Sequence, residues 1–358
     1  MSCPICEQVP TISDKAGELL LAPSLGHSFA RIKAGLERDL GAERLYQYGQ
    51  NVISIAVEDH GLAGMLRRLG DQLTEMEARD CPAMFLEAGE VFDPAMLGRM
   101  EYLQTLVGRA QSVWLAELIE AKRLEMHFQP IVEAANQERV FGYEALVRGR
   151  AADGSLVRPN ELFGAARAAG MLFVLDREAR VAAIRDAQRH DIDERVFINF
   201  NPTSIYDPGY CLRTTFAAAE EVGFAPHNLV FEVVESDQVE HPDHLLGILD
   251  EYRANGFQVA LDDLGAGYGS LNLLNELQPD FVKLDMGLVR GVHRDSSRQS
   301  ILTNLASMAA DLNTRIIAEG VEEAAEADWL AAVGVDYLQG FYFARPASPP
   351  PRIASPGA

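Results

Sequence analysis

Between residues 125 and 344 the sequence passes through eight short β-rich runs with helical stretches between them. The runs are EMHFQPIV, RVFGYEALVR, RVFINFNP, NLVFEVVE, FQVALDDLG, DFVKLD, RIIAEGVE and YLQGFYFA. Helical periodicity marks 161–169, 211–222, 244–255, 297–311 and 326–333. Strand then helix, repeated this often, predicts an α/β fold closed into a (β/α)8 barrel of TIM type. A doubly wound sheet would need a glycine-rich turn after its first strand, and HFQPIVEAA supplies none.

The chain divides near residue 111. Upstream, the pattern predicts helix at 28–40, strand at 52–57, helix at 61–76 and strand at 84–86, which makes 1–110 a small α/β or α+β accessory module. Val113, Trp114, Leu118 and Ile119 give 111–124 the stripe of an amphipathic connecting helix. The barrel is expected over 125–348, with 349–358 a flexible tail. At 358 residues, 48% hydrophobic and 23% charged, the chain can build both cores.

No run approaches the roughly 18 apolar residues of a membrane span, and no basic region precedes a long apolar stretch at the N-terminus. The expected location is therefore cytoplasmic. A net charge of −22 argues against a general nucleic-acid surface, so a phosphate ligand must meet locally placed cations. Cys3, Cys6, Cys81 and Cys211 are too few and scattered for a disulfide framework. Cys3 and Cys6 form half a zinc site that Cys81 with His27 or His60 could complete; free thiols on a flexible tail are the simpler reading.

Acids and an amide recur at the ends of the apolar runs: Glu144, Asn199, Glu232, the adjacent pair Asp262 and Asp263 in LDDLGAGYGSL, and Glu319. Burial moves a carboxyl pKa by about 3 to 5 units, each unit worth about 1.4 kcal/mol. Such a cluster therefore calls for bound cations. A barrel explains the recurrence, because its sites are built from the C-terminal ends of several strands. Residues two apart share a strand face, so Glu144, Leu146 and Arg148 point one way, as do Lys283 and Asp285. Lys283, between Val282 and Leu284, either faces the site or pairs with Asp285. Gly265, Gly267 and Gly269 suit a tight turn after the acid pair.

The ordered series FQP, EALVR, INFN, FEVVES, DDLGAGY, KLD, AEGVE and QGF, from about residue 111 to 346, resembles the EAL-domain family of cyclic di-GMP phosphodiesterases. The resemblance implies that Glu144, Asn199, Glu232 and Asp262 hold one divalent cation. Asp262 would bridge to a second, completed by Asp263 and Glu319. Oxygen donors suit Mg2+ or Mn2+ better than zinc. The resemblance further implies that Lys283 polarises the attacking water and that Glu235 anchors the glycine-rich loop. Gln129, Leu146, Arg148, Asp176 and Gln339 occupy substrate positions, with Gln129 and Asp176 on a guanine edge and Arg148 on phosphate. The reaction would be hydrolysis of cyclic di-GMP to linear pGpG, in a homodimer formed through the barrel.

This chain departs from the family's usual pattern at Leu264, Ala266, Gly269, Gly149-Arg150, Asn201 and Glu323, none of them a proposed metal ligand. One rival reading is a cyclic di-GMP receptor without turnover. Another is an enolase-like barrel using Mg2+ and a lysine base, which the contiguous DDLGAG loop fits poorly.

Overall fold

The computed structural model describes residues 8–234, 242–265 and 270–353. They form two compact units, one drawn from 8–123, 151–153 and 160–175 and the other from the described residues of 124–150, 154–159 and 176–353. No helix among the described residues is long and apolar enough to cross a membrane.

In the first unit, strands β1 (Gly17–Leu21), β2 (Leu45–Tyr48), β3 (Val52–Val57), β4 (Pro82–Glu87) and β5 (Glu101–Tyr102) form an antiparallel sheet of order β2-β3-β1-β4-β5. The helices Gly26–Leu40 and Leu62–Gln72 give the split βαβ order. Alternation along the strands sends Leu19, Leu21, Ile53, Ile55 and Val57 into one core with Ile32, Leu36, Leu62, Leu66 and Leu69. The module is thus α+β. The single helix expected over 61–76 ends at Gln72, and Thr74 caps a new one, Glu75–Arg79, through a reciprocal box with Glu77. The connecting helix expected over 111–124 is the shorter Val113–Glu120, and a separate helix, Leu103–Gln111, precedes it across Ser112.

The second unit is a closed barrel. Its strands are β6 (Leu124–Glu133), β7 (Asn136–Arg150), β9 (Arg195–Asn199), β10 (Leu229–Val234), β11 (Gln258–Leu264), β12 (Phe281–Leu284), β13 (Arg315–Ala318) and β14 (Tyr337–Gln339), with the short β8 (Leu156–Val157) added to the end of β7. Pairing of β6 with β7 and of β14 with β6 closes the ring. One feature corrects a regular (β/α)8 repeat: β6 runs antiparallel to both neighbours. Only residues 134 and 135 separate β6 from β7, which is enough for a hairpin and far too little for the crossover a parallel pair needs.

Inside the barrel, Ile131, Phe197, Val230, Ala260, Phe281, Ile317 and Tyr337 form an apolar layer. Two residues onward along each parallel strand stands a polar one: Asn199, Glu232, Asp262, Lys283, Glu319 and Gln339. On β6, which runs the other way, Gln129 stands two residues before Ile131. The period of two therefore places a polar layer directly above a packed floor. On β7 the floor position is Gly142, where a Cβ would lie 2.7 Å from the Arg195 carbonyl oxygen and 3.1 Å from the Phe197 ring. Gly142→Val is expected to cost about 1–3 kcal/mol through overpacking, read as a lower denaturation midpoint.

Residues 349–351, expected in a flexible tail, belong to the barrel unit. Ala347 exchanges backbone hydrogen bonds of 2.9 and 3.1 Å with Phe128, and Tyr143 donates to the Pro351 carbonyl at 3.2 Å.

Candidate active site

The polar layer converges at the barrel mouth. Glu144 is held from two sides: Asn199 Nδ2 donates to its Oε1 at 3.0 Å and Gln339 Nε2 to its Oε2 at 2.7 Å. Gln339 also donates to Gln129 Oε1 at 3.3 Å, and Gln129 donates to the Ala344 carbonyl at 3.3 Å. These amides fix the carboxylate's orientation before any ligand arrives. Gln129, Glu144, Leu146, Asp262, Glu319 and Gln339 all line a cavity of about 300 Å³.

Asp262 and Asp263 are consecutive, and a regular strand would point them to opposite faces. Here the ladder between β11 and β12 shifts register between Leu261 and Leu264, and Asp263 has φ +59°. This left-handed bulge turns the second acid back towards the first, a conformation aspartate tolerates better than most residues. Carboxylate oxygens then fall into two groups, Glu144/Glu232/Asp262 and Asp262/Asp263/Glu319, each within 4.8 Å and sharing Asp262.

Lys283 lies at the centre, with no exposed surface. Its Nζ is 2.6 Å from Glu319, 3.1 Å from Glu232, 3.3 Å from Asp262 and 3.5 Å from Glu144. Asp285 is not its partner; that side chain caps the helix Met286–Val289 by accepting the Gly287 N–H at 2.8 Å. Burial alone would lower the lysine pKa, but the surrounding carboxylates, Asp262 foremost, raise it well above its usual value. Burial also lifts the acids: Asp263 to about 6, with Asp262 adding to the rise, and Glu319 to about 8 against the pull of Lys283. Burial raises Glu232 and Asp262 as well, each opposed by Lys283 and reinforced by Glu144.

Five carboxylates thus face one ammonium. The fully buried Glu232 has the Lys283 ammonium 3.1 Å from its Oε1, and its Oε2 has no hydrogen-bond partner among the described residues. Orphaned buried acceptors are costly, and an all-oxygen donor set of this kind fits hard divalent cations. The residues therefore fit Mg2+ or Mn2+, which Glu144, Asn199, Glu232 and Asp262 would hold on one side and Asp262, Asp263 and Glu319 on the other.

Arg148 lies within the electrostatic reach of Glu144. It is half-buried and donates to the Val147 carbonyl at 2.8 Å. Asp176 is 2% exposed and bonded to Arg180, Asn201 and Ser204, so the structure does not bring it to the acid cluster. Glu235, Ala266, Gly267, Gly269, Cys3 and Cys6 lie outside the described residues. The cavity also has walls that the sequence reading missed, among them Arg290, paired with Glu322, and the half-exposed Phe341 beneath the Arg345 guanidinium. An aromatic two residues past Gln339 was the available signal for Phe341; nothing local marked Arg290. A larger hollow of about 680 Å³ on the first unit is lined mainly by apolar residues such as Leu20, Val52, Met84 and Leu86, without such a convergence of acids.

Residues 112–346 match the family model described as EAL domain. This chain belongs to the EAL domain family. It is 31% identical over 264 residues to the cyclic di-GMP phosphodiesterase PdeR of Escherichia coli K12, covering 72% of this chain and 38% of PdeR. It spans about a third of the length of the curated relatives it matches. The crystal structure of a standalone EAL protein from Vibrio cholerae O395, in its c-di-GMP bound form, superposes with a TM-score of 0.59 at 40% identity, over 64% of this chain and 95% of that one. A manganese/cy-diGMP complex of Klebsiella pneumoniae BlrP1 matches 93% of this chain and 96% of its own with a TM-score of 0.57; at 22% identity this likeness concerns the fold.

Proposed function

We propose that the barrel of this EAL protein hydrolyses one phosphodiester bond of cyclic di-GMP to give linear pGpG. The observation that carries the reading is the pair of oxygen-donor groups sharing Asp262 at the barrel mouth. When bound, divalent cations there would supply the positive charge that offsets the phosphodiester's and the acidity that prepares a water. Lys283 holds and orients that water. Its oxygen gives up a proton and bonds to phosphorus, the P–O3′ bond breaks, and the released 3′ oxygen takes up one proton, so that one water is added overall. Gln129 and Arg148 are proposed to bind substrate, while Gln339 keeps Glu144 aimed. Membership of the family, the named phosphodiesterase relative and the nucleotide-bound Vibrio structure support the choice of substrate. A homodimer through the barrel remains part of the proposal.

The test is chromatographic detection of pGpG from the purified chain with Mg2+ or Mn2+ and with chelator. Metal-dependent product is expected. Tight nucleotide binding without turnover in either metal would favour the receptor reading instead.

The pKa shifts add a pH signature. Glu319 is raised from 4.5 to about 8, so in the metal-free chain it contributes stability below the lower value that is lost as pH rises through the upper. Lys283, also raised, has the same sign at higher pH. Cation binding needs the ionised acids. In chelator the melting temperature is expected to fall between pH 5 and 8, while the upward shift produced by Mn2+ grows over the same interval. A Mn2+ shift independent of pH would count against these assignments.

A further inference from the structure

Asp176 and Arg180 sit one turn apart on the helix Leu172–Arg189, with side chains only 3% and 2% exposed. A buried ion pair is weak as a source of stability, since apolar residues of the same volume do as well or better. The remaining bonds of this carboxylate show a more specific use. Oδ1 accepts the Asn201 N–H at 2.9 Å, and Oδ2 accepts both Arg180 and the Ser204 hydroxyl, the latter at 2.6 Å. Arg180 in turn donates from Nε to Thr215 Oγ1 at 3.2 Å.

Asn201 and Ser204 bound the short turn that follows β9. Within this turn Asn201 caps the segment Pro202–Ser204, accepting the Thr203 N–H at 2.9 Å. Asn199, the last residue of β9, lies two residues before this anchor, and Phe200 N–H donates to the Glu232 carbonyl at 3.1 Å. One carboxylate thus ties down the exit of a strand whose terminal amide reaches Glu144 at 3.0 Å.

We infer that Asp176 is a positioning residue: locked by Arg180, it fixes the turn after β9 and so holds the Asn199 side chain in register with Glu144, Glu232 and Asp262. This rests on the reading of those four as cation ligands. It replaces the guanine contact expected for Asp176, whose oxygens are already taken and almost inaccessible.

The test is Mn2+ affinity of the full-length protein, measured by electron paramagnetic resonance, alongside KM for cyclic di-GMP at saturating Mn2+. The double variant Asp176→Asn/Arg180→Met removes both buried charges together. It is expected to bind Mn2+ about tenfold more weakly, the scale of lost outer contacts to a metal ligand, with KM changed less than twofold. Ser204→Ala keeps the ion pair and loses one tie, with an expected loss of about threefold, as for one hydrogen bond. It decides alone if the double variant does not fold. Unchanged Mn2+ affinity overturns the inference, and so does unchanged affinity with a raised KM, which would make Asp176 a substrate contact. A wild-type chain that binds no Mn2+ would defeat the underlying metal reading, and the inference with it.

Discussion

Asp262→Asn is expected to abolish cyclic di-GMP hydrolysis while leaving the fold intact. Asp262 is the carboxylate common to both donor groups and lies 3.3 Å from Lys283. Asparagine preserves its shape but withdraws the charge on which both proposed cations depend. A loss of at least about 10³-fold in kcat/KM, some 4 kcal/mol of transition-state stabilisation, is the expected scale. Glu144→Ala should match it, because Glu144 belongs to the first donor group and accepts from Asn199 and Gln339. In chelator Asp262→Asn should be about as stable as the parent, since it relieves repulsion among buried acids, whereas Glu144→Ala also strips the acceptor from Asn199 and Gln339 and should be less stable. Near-normal metal-dependent turnover by either would contradict the assignment.

Lys283→Met should act on stability as well as rate. Without metal, Lys283 is the only cation within 4 Å of Glu144, Glu232, Asp262 and Glu319 among the described residues. Removing it leaves buried acids facing one another, and breaking a buried pair in this way costs about 3–5 kcal/mol. Denaturant melts in chelator should show that loss, and Mn2+ should recover most of it by restoring positive charge, without restoring turnover. A variant as stable as the parent in chelator would mean that the acids do not depend on the ammonium.

The barrel was legible because its strands obey one rule. Phe197 with Asn199, Val230 with Glu232 and Phe281 with Lys283 each place an apolar residue two positions before a polar one. The spacing that fills the floor also builds the site. What escaped the sequence reading has local physical reasons. The helix Leu172–Arg189 was missed because Asp176 and Arg180, though buried, read as a solvent face. The antiparallel course of β6 was hidden because Ala134-Ala135 carries none of the usual hairpin residues. Strands β1 and β2 are short: the three leucines ending β1 obscure its alternation, and β2 is largely exposed. Two adjacent acids also gave no hint of the backbone turn at Asp263 that lets both face inward.

The central claim is that a layer of oxygen donors above an apolar floor holds divalent cations at the barrel mouth. Anomalous diffraction from crystals grown with Mn2+ and cyclic di-GMP tests it most directly. Two manganese peaks are expected, one among Glu144, Asn199, Glu232 and Asp262 and the other among Asp262, Asp263 and Glu319. Saturating Mn2+ with no peak in the cluster, and Lys283 still seated among the four carboxylates, would contradict it.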